Sequence, residues 1–388
     1  MTLFDDIARD YDGPALYNEP KFAYYNRSNR EAIGRIRHLL EEWFLHYPVD
    51  HQTELRSKFR SDINAHHYSA FFELIIYELL LRLNYKVTIH PDIDGSERKP
   101  DFLAESSKCE SFYIEAVLAT DKSAREIAEE ARMGEVYDAL NRMESPNFFI
   151  EMEIIGAPKT PPSAKKIKAF LANQLKHLNP DDIAALWQSD DREKVPHWNY
   201  EHDGWKIIFY PIPKSPKGRS KPGSRPIGVI LNGKFSVLDS HSAIRDTIIA
   251  KANRYGKLEW PYVIAVNALG EDVKNIDIMN ALFGEEQIVA NFGWGPKKHK
   301  HTRARNGVWI GEPGIQYTGI SAILIAHPLL PYNIPKAPIR LYHNPWARKK
   351  YSSNLTCLPQ SVPQENRLEP IEGKPLGAIF NLSPEWPG

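Results

Sequence analysis

Three carboxylates between residues 71 and 120, Glu73, Asp101 and Glu115, have the types and spacing to hold a divalent cation. DFLAE (101–105) and FYIEAV (112–117) flank the polar segment SSKCES and read as an antiparallel hairpin. A turn centred on Lys108 sets Asp101 opposite Glu115 on one face, with Cβ atoms about 4.5–5.5 Å apart. Carboxylates that close repel, and they coexist through a shared proton or a cation. Hard oxygen donors of this kind suit Mg²⁺ or Mn²⁺. Glu115 sits between Ile114 and Val117, where a charge in a buried strand is rare. Asp101 follows Pro100, so a turn residue that merely opens a strand is its plain structural alternative.

The third carboxylate belongs to a preceding helix, read over about His67 to Asn84. At about 100° per residue, Glu78 and Arg82 share what should be the wet side. Glu73 lies about 140–180° from them, beside Ile76, Tyr77 and Leu80 in FFELIIYELL. It points toward the core, where an unpaired carboxylate is costly. A metal, or a hydrogen bond to the sheet, would account for it.

A helical Glu, then Pro-Asp opening a strand, then Glu-x-Lys on the next strand resembles the signature of the PD-(D/E)XK (restriction-endonuclease-like) nuclease superfamily. The matching residues are Glu73, Pro100-Asp101 and Glu115-Ala116-Val117, and the resemblance spans 66–120. It implies a metal-dependent nuclease in which Asp101, Glu115 and Glu73 hold Mg²⁺ or Mn²⁺ and a metal-bound water attacks a phosphodiester. The departure is Val117 in place of the lysine. The same register sets Lys99 opposite Val117, so its amine would reach the same face, and Lys122 is the other candidate. A one-residue slip would turn Lys99 away. Since the superfamily also has members without cleavage, a catalytically degenerate nucleic-acid-binding protein on the same fold is the alternative.

Basic runs supply phosphate contacts for either reading. Lys214, Lys217, Arg219, Lys221 and Arg225 occupy one Pro/Gly-rich loop without an acid. Lys297, Lys298, Lys300, Arg303 and Arg305 form a second run, with His299 and His301, and Arg348, Lys349 and Lys350 a third. About five phosphate contacts would make binding steeply salt-dependent. DNA is expected over RNA as the partner, and a homodimer is compatible with the reading.

The elements that must position these groups read as an α/β fold, with a mixed central sheet flanked by helices. It would be a restriction-endonuclease-like core with a large C-terminal elaboration. The segments are 1–65, an N-terminal helical region with 1–27 irregular; 66–160, the core; 161–240, an insertion with the basic loop; and 241–388, an extension or second domain. PYVIAV (261–266), after a helix from Asp239 or Ser240 through Tyr255, would be a further core strand. Further strands are expected at 86–90, 148–155, 205–213, 286–292, 320–327 and 338–343, and helices at 28–46, 122–143 and 163–178.

Composition sets the outer bounds. The 388 residues are 42% hydrophobic and 25% charged, which excludes a fully disordered chain. Lys+Arg and Asp+Glu are 49 each, so bulk charge does not coat nucleic acid, although a local basic groove remains open. The longest apolar run, Ser321 to Leu330, falls short of the roughly 20 residues a spanning helix needs. The acidic start MTLFDDIARDYDG has no signal-peptide pattern. Cys109 and Cys357 make no disulfide framework, so the cytoplasm is the expected compartment. No Gly-rich phosphate loop, HExxH, CxxC or GxSxG occurs, and the histidine pairs lack a third zinc ligand. A scaffold protein using its Pro-rich C-terminal half is the weakest reading.

Overall fold

The computed structural model describes residues 1–189, 192–219, 225–232, 240–270, 272–290, 299–364 and 367–388. The chain divides into two compact units. One comprises Met1–Gly13, Pro20–Asp121 and Leu238–Gly388; the other comprises Pro14–Glu19 and Lys122–Val237.

The first unit is built on an eight-stranded mixed sheet. Its order is Lys86–Ile89, Phe102–Glu105, Phe112–Ala119, Tyr262–Ala268, Ala322–Ala326, Ile339–His343, Gln360–Gln364 and Arg367–Ile371. The first three strands pair antiparallel, and the third then pairs parallel with Tyr262–Ala268, which pairs parallel with Ala322–Ala326. Both central parallel strands are buried at every position. That follows from their unbroken apolar runs, since parallel strands are covered on both faces. Each fully buried Val or Ile there contributes about 1.5–3 kcal/mol of transfer free energy.

The helix Asn64–Arg82 is buried along most of its length, from Phe71 to Leu80. A helix apolar all round has no solvent side. Glu78 is therefore not on a wet face. Its side chain is 1% exposed and accepts from Arg82 Nε at 2.7 Å, with His46 Nδ1 at 2.8 Å. Two helices precede it that the sequence reading passed over, Lys21–Arg27 and Val49–Phe59. The second is weakly amphipathic and buries Leu55 and Phe59. On the opposite sheet face, Ser240–Ala252 packs Ile244 and Ile248 against Val117, Ile264 and Val266.

The second unit carries its own four-stranded sheet, ordered Trp198–His202, Trp205–Pro213, Phe148–Gly156 and Ile227–Asn232. Asp203 and Gly204 both have positive φ, the two-residue hairpin turn that Asp-Gly favours. Helices Ala124–Asn141, Ala164–Leu175 and Pro180–Gln188 belong to the same unit. Val136, Leu140, Ile167 and Leu171 join Met152, Trp205 and Phe209 in one core. The segment 14–19 joins this unit through Tyr17, whose amide donates to Asp138 Oδ1 at 2.8 Å.

These units correct the expected boundaries. The separate unit opens at 122 rather than 161, because the helix Ala124–Asn141 and strand Phe148–Gly156 bury their apolar sides in the second core. Most of region 1–65 falls in the unit of the carboxylate-bearing sheet, and so does all of 241–388, in line with the extension alternative for that segment. Among the described residues, no helix is long and apolar enough to cross a membrane.

Candidate functional site

The hairpin register is the one implied by a turn at Lys108. Phe102 pairs with Ile114, Leu103 with Tyr113 and Ala104 with Phe112. Asp101 lies one residue before the strand, where the ladder pairing has stopped, and its Oδ2 accepts from the Ala116 amide at 2.7 Å. Its own carbonyl accepts from the amide of His90 at 3.0 Å. His90 is a non-glycine residue at positive φ, a conformation held here by its surroundings.

Glu115 is 2% exposed and sits on the same sheet face as Val117. Lys251 Nζ donates to its Oε1 at 2.5 Å, and Arg254 Nη1 lies 3.6 Å from the same oxygen. Tyr255 Oη donates to Oε2. Burial, the Glu115 charge and this hydrogen bond push the Tyr255 phenol far up, so it remains a neutral donor. Glu73 is held from the other side. Tyr47 Oη donates to its Oε1 at 2.7 Å, and Lys58 Nζ stands 4.0 Å from Oε2. Burial works to lower the Lys58 ammonium. Its bond to Glu54 and the charges of Glu73, Glu54 and Asp101 outweigh that and hold it above the ordinary lysine value.

Electrostatics tie the three carboxylates together. Burial pushes Asp101 up to about 8, and the negative charges of Glu115 and then Glu73 push in the same direction. The Ala116 amide and the Lys251 charge oppose the shift without cancelling it. At neutral pH without a cation the group is therefore largely protonated. A buried acid that needs a proton, flanked by two further acids, fits a hard divalent cation by donor chemistry and charge. The donors are not gathered, however: among the described residues, no three His, Cys, Asp or Glu side chains form a group able to hold a metal ion.

The expected lysines lie elsewhere. Strand pairing stops at Phe102, so Lys99 does not oppose Val117. Its ammonium pairs with Asp92 at 2.7 Å, and both side chains are substantially exposed. Pro100 has no N–H to extend the ladder past Asp101. Lys122 lies in the second unit, where it pairs with Glu130 at 2.8 Å. The lysine on Glu115 is Lys251, which sequence reasoning missed together with Arg254, Tyr255, Tyr47 and Lys58. Arg254 and Tyr255 lie just past the end of the helix Ser240–Ala252, so helical phase does not align them with Lys251. Nothing local indicates which strand these residues meet.

The basic runs are not a uniform phosphate grip. Lys214 is buried, donates to the Ser145 carbonyl at 2.7 Å and stands over the Phe149 ring. Burial lowers its pKa. Arg219 pairs with Asp181 at 2.6 Å, and Arg225 donates to the carbonyls of Pro14 and Ala15. Arg303 donates to Asn280 Oδ1 and the Gly284 carbonyl. Lys217 and Arg305 are exposed. Lys221, Lys297 and Lys298, and the side chain of Lys300, lie outside the described residues. His67 is held near pKa 4 by burial, and its Nδ1 hydrogen-bonds the Phe59 carbonyl.

Comparison with family models, with curated proteins and with solved structures gives no match for this chain.

Proposed function

We propose that the unit carrying Glu73, Asp101 and Glu115 is a Mg²⁺- or Mn²⁺-dependent phosphodiesterase on a restriction-endonuclease-like core, acting on nucleic acid and on DNA first. The observation that carries the reading is Lys251 Nζ on Glu115 Oε1. It puts a lysine amine beside the second-strand carboxylate although Val117 cannot supply one. Asp101 and Glu115 would hold the metal, with Glu73 as a further ligand or a partner of the attacking water. The bound ion would lower the pKa of that water and stabilise charge on the phosphoryl oxygens.

The chain's own groups have separable tasks. Asp101 must lose its proton before it ligates. Lys251 and Arg254 bring positive charge to the Glu115 side, where they would orient a phosphate and offset charge that builds as the bond breaks. Tyr255 and Tyr47 fix the rotamers of Glu115 and Glu73 through neutral hydrogen bonds. Lys58, about half exposed, offers a second cation 4.0 Å from Glu73.

The test is cleavage of plasmid, linear and single-stranded DNA and of RNA with Mg²⁺ or Mn²⁺, comparing native protein with Glu115→Ala. Metal-dependent cleavage lost in the variant supports the reading. A binding-only protein is the second reading. It is favoured by the cations and phenol already on Glu115 and by the ungathered donors. It predicts salt-sensitive DNA binding with no cleavage under either metal.

A further inference from the structure

The strands at the C-terminal edge of the large sheet border a cleft of about 770 Å³. Ligand pockets commonly run to roughly 300–1,000 Å³. Arg303, Arg340 and Arg367 line it, and among the described residues no carboxylate does. Arg340 uses Nη1 on the Gln360 carbonyl at 2.6 Å. Arg303 uses Nη1 on Asn280 and Gly284. These bonds fix the two guanidiniums from behind through neutral acceptors, leaving charge and further N–H donors in place. Among the described residues, neither Arg340 nor Arg367 has a carboxylate partner within ion-pair distance.

The rest of the lining suits an organic body. Proline rings and Leu368 make much of the wall, and Tyr342 adds an aromatic side chain whose hydroxyl donates to Asn275 Oδ1 at 3.1 Å. Burial holds His327 below the ordinary imidazole value, so at neutral pH the positive charge here is that of the arginines. Planar guanidiniums match phosphate oxygens in paired hydrogen bonds better than point-charge ammoniums do. We propose that this cleft binds a phosphorylated small molecule of nucleotide size, with the phosphates on Arg340 and Arg367 and the ring system against the apolar wall. The inference stands apart from the carboxylate site and does not need its chemistry.

Calorimetric titration with ATP, AMP, inorganic phosphate and adenosine, at fixed moderate salt and without metal, tests it. Native protein should bind ATP saturably at one per chain, with AMP weaker and adenosine undetectable. Arg367→Ala, at an exposed strand position, should weaken ATP about tenfold or more. Arg340→Met should do the same, and circular dichroism checks that each variant is folded. Glu115→Ala should leave ATP binding unchanged, which separates this cleft from the proposed nuclease site. The proposal is overturned if none of the phosphate compounds binds, or if a folded protein carrying both Arg340→Met and Arg367→Ala binds ATP like native protein. It is equally overturned if adenosine or inorganic phosphate alone binds as tightly as ATP.

Discussion

Lys251 donates to Glu115 across 136 positions of sequence, from the end of the helix Ser240–Ala252 to the middle of the strand Phe112–Ala119. The strand Tyr262–Ala268, which pairs in parallel beside Glu115, follows that helix closely in the chain. The separate unit inserted after Asp121 thus leaves the helix next to the sheet it serves.

Lys251→Met removes a cation from a carboxylate that is 2% exposed. Breaking a buried pair from one side costs up to about 3–5 kcal/mol, and Tyr255 and Arg254 remain to offset part of it. Urea denaturation should therefore show a clear loss of stability. Metal-dependent cleavage should fall about a hundredfold or more, while Lys251→Arg should recover most of the stability. Native-like cleavage in a folded Lys251→Met protein would remove this residue from the mechanism.

Asp101 gives a stability signature in pH. Its folded pKa lies near 8, raised from the ordinary aspartate range by burial and then by Glu115 and Glu73. For a group raised on folding, the contribution is full below the unfolded pKa and is lost as pH rises through the folded pKa. Thermal denaturation in chelator should thus show stability falling between about pH 4 and pH 8. Asp101→Asn should fall less over the same window. Equal slopes for the two proteins would mean that Asp101 does not hold its proton.

The hairpin was legible because its turn is short and its register follows from the turn centre alone. Glu73 was legible from helical phase, and the same phase misled at Glu78, because a helix covered on every side has no wet face. Lys251 was not legible: a cation in the last turn of a helix usually reads as a dipole or solvent contact. The boundary at 122 was hidden for a related reason. The apolar side of Ala124–Asn141 looks the same whichever sheet it covers. The strands Gln360–Gln364 and Arg367–Ile371 escaped because Pro363 and Pro370 argue against strand; Pro370 is tolerated on the edge strand, and Pro363 lies beyond Ser361, where pairing with Ile339–His343 stops.

Tyr47→Phe tests the support of Glu73. The substitution keeps the ring contact with Tyr77, with centroids 4.7 Å apart, and removes the hydrogen bond to Glu73 Oε1. A buried carboxylate left short of a donor costs about 1–3 kcal/mol. The urea midpoint should fall with an unchanged slope, and cleavage should fall with it if Glu73 needs that rotamer.

Salt dependence separates cations that can meet phosphate from those held inside the fold. Lys214 stands in a basic loop by sequence, yet it is 3% exposed and donates to the Ser145 carbonyl. Arg254 is 38% exposed in its side chain and stands beside Glu115. Each phosphate contact on duplex DNA adds about 0.9 to the slope of log affinity against log salt. Binding of a labelled duplex, followed by anisotropy from about 50 to 200 mM salt without metal, should give the native slope for Lys214→Met. Arg254→Ala should lower the slope by about 1. The reverse result would move the DNA-binding surface away from the Glu115 side and onto the 213–226 loop.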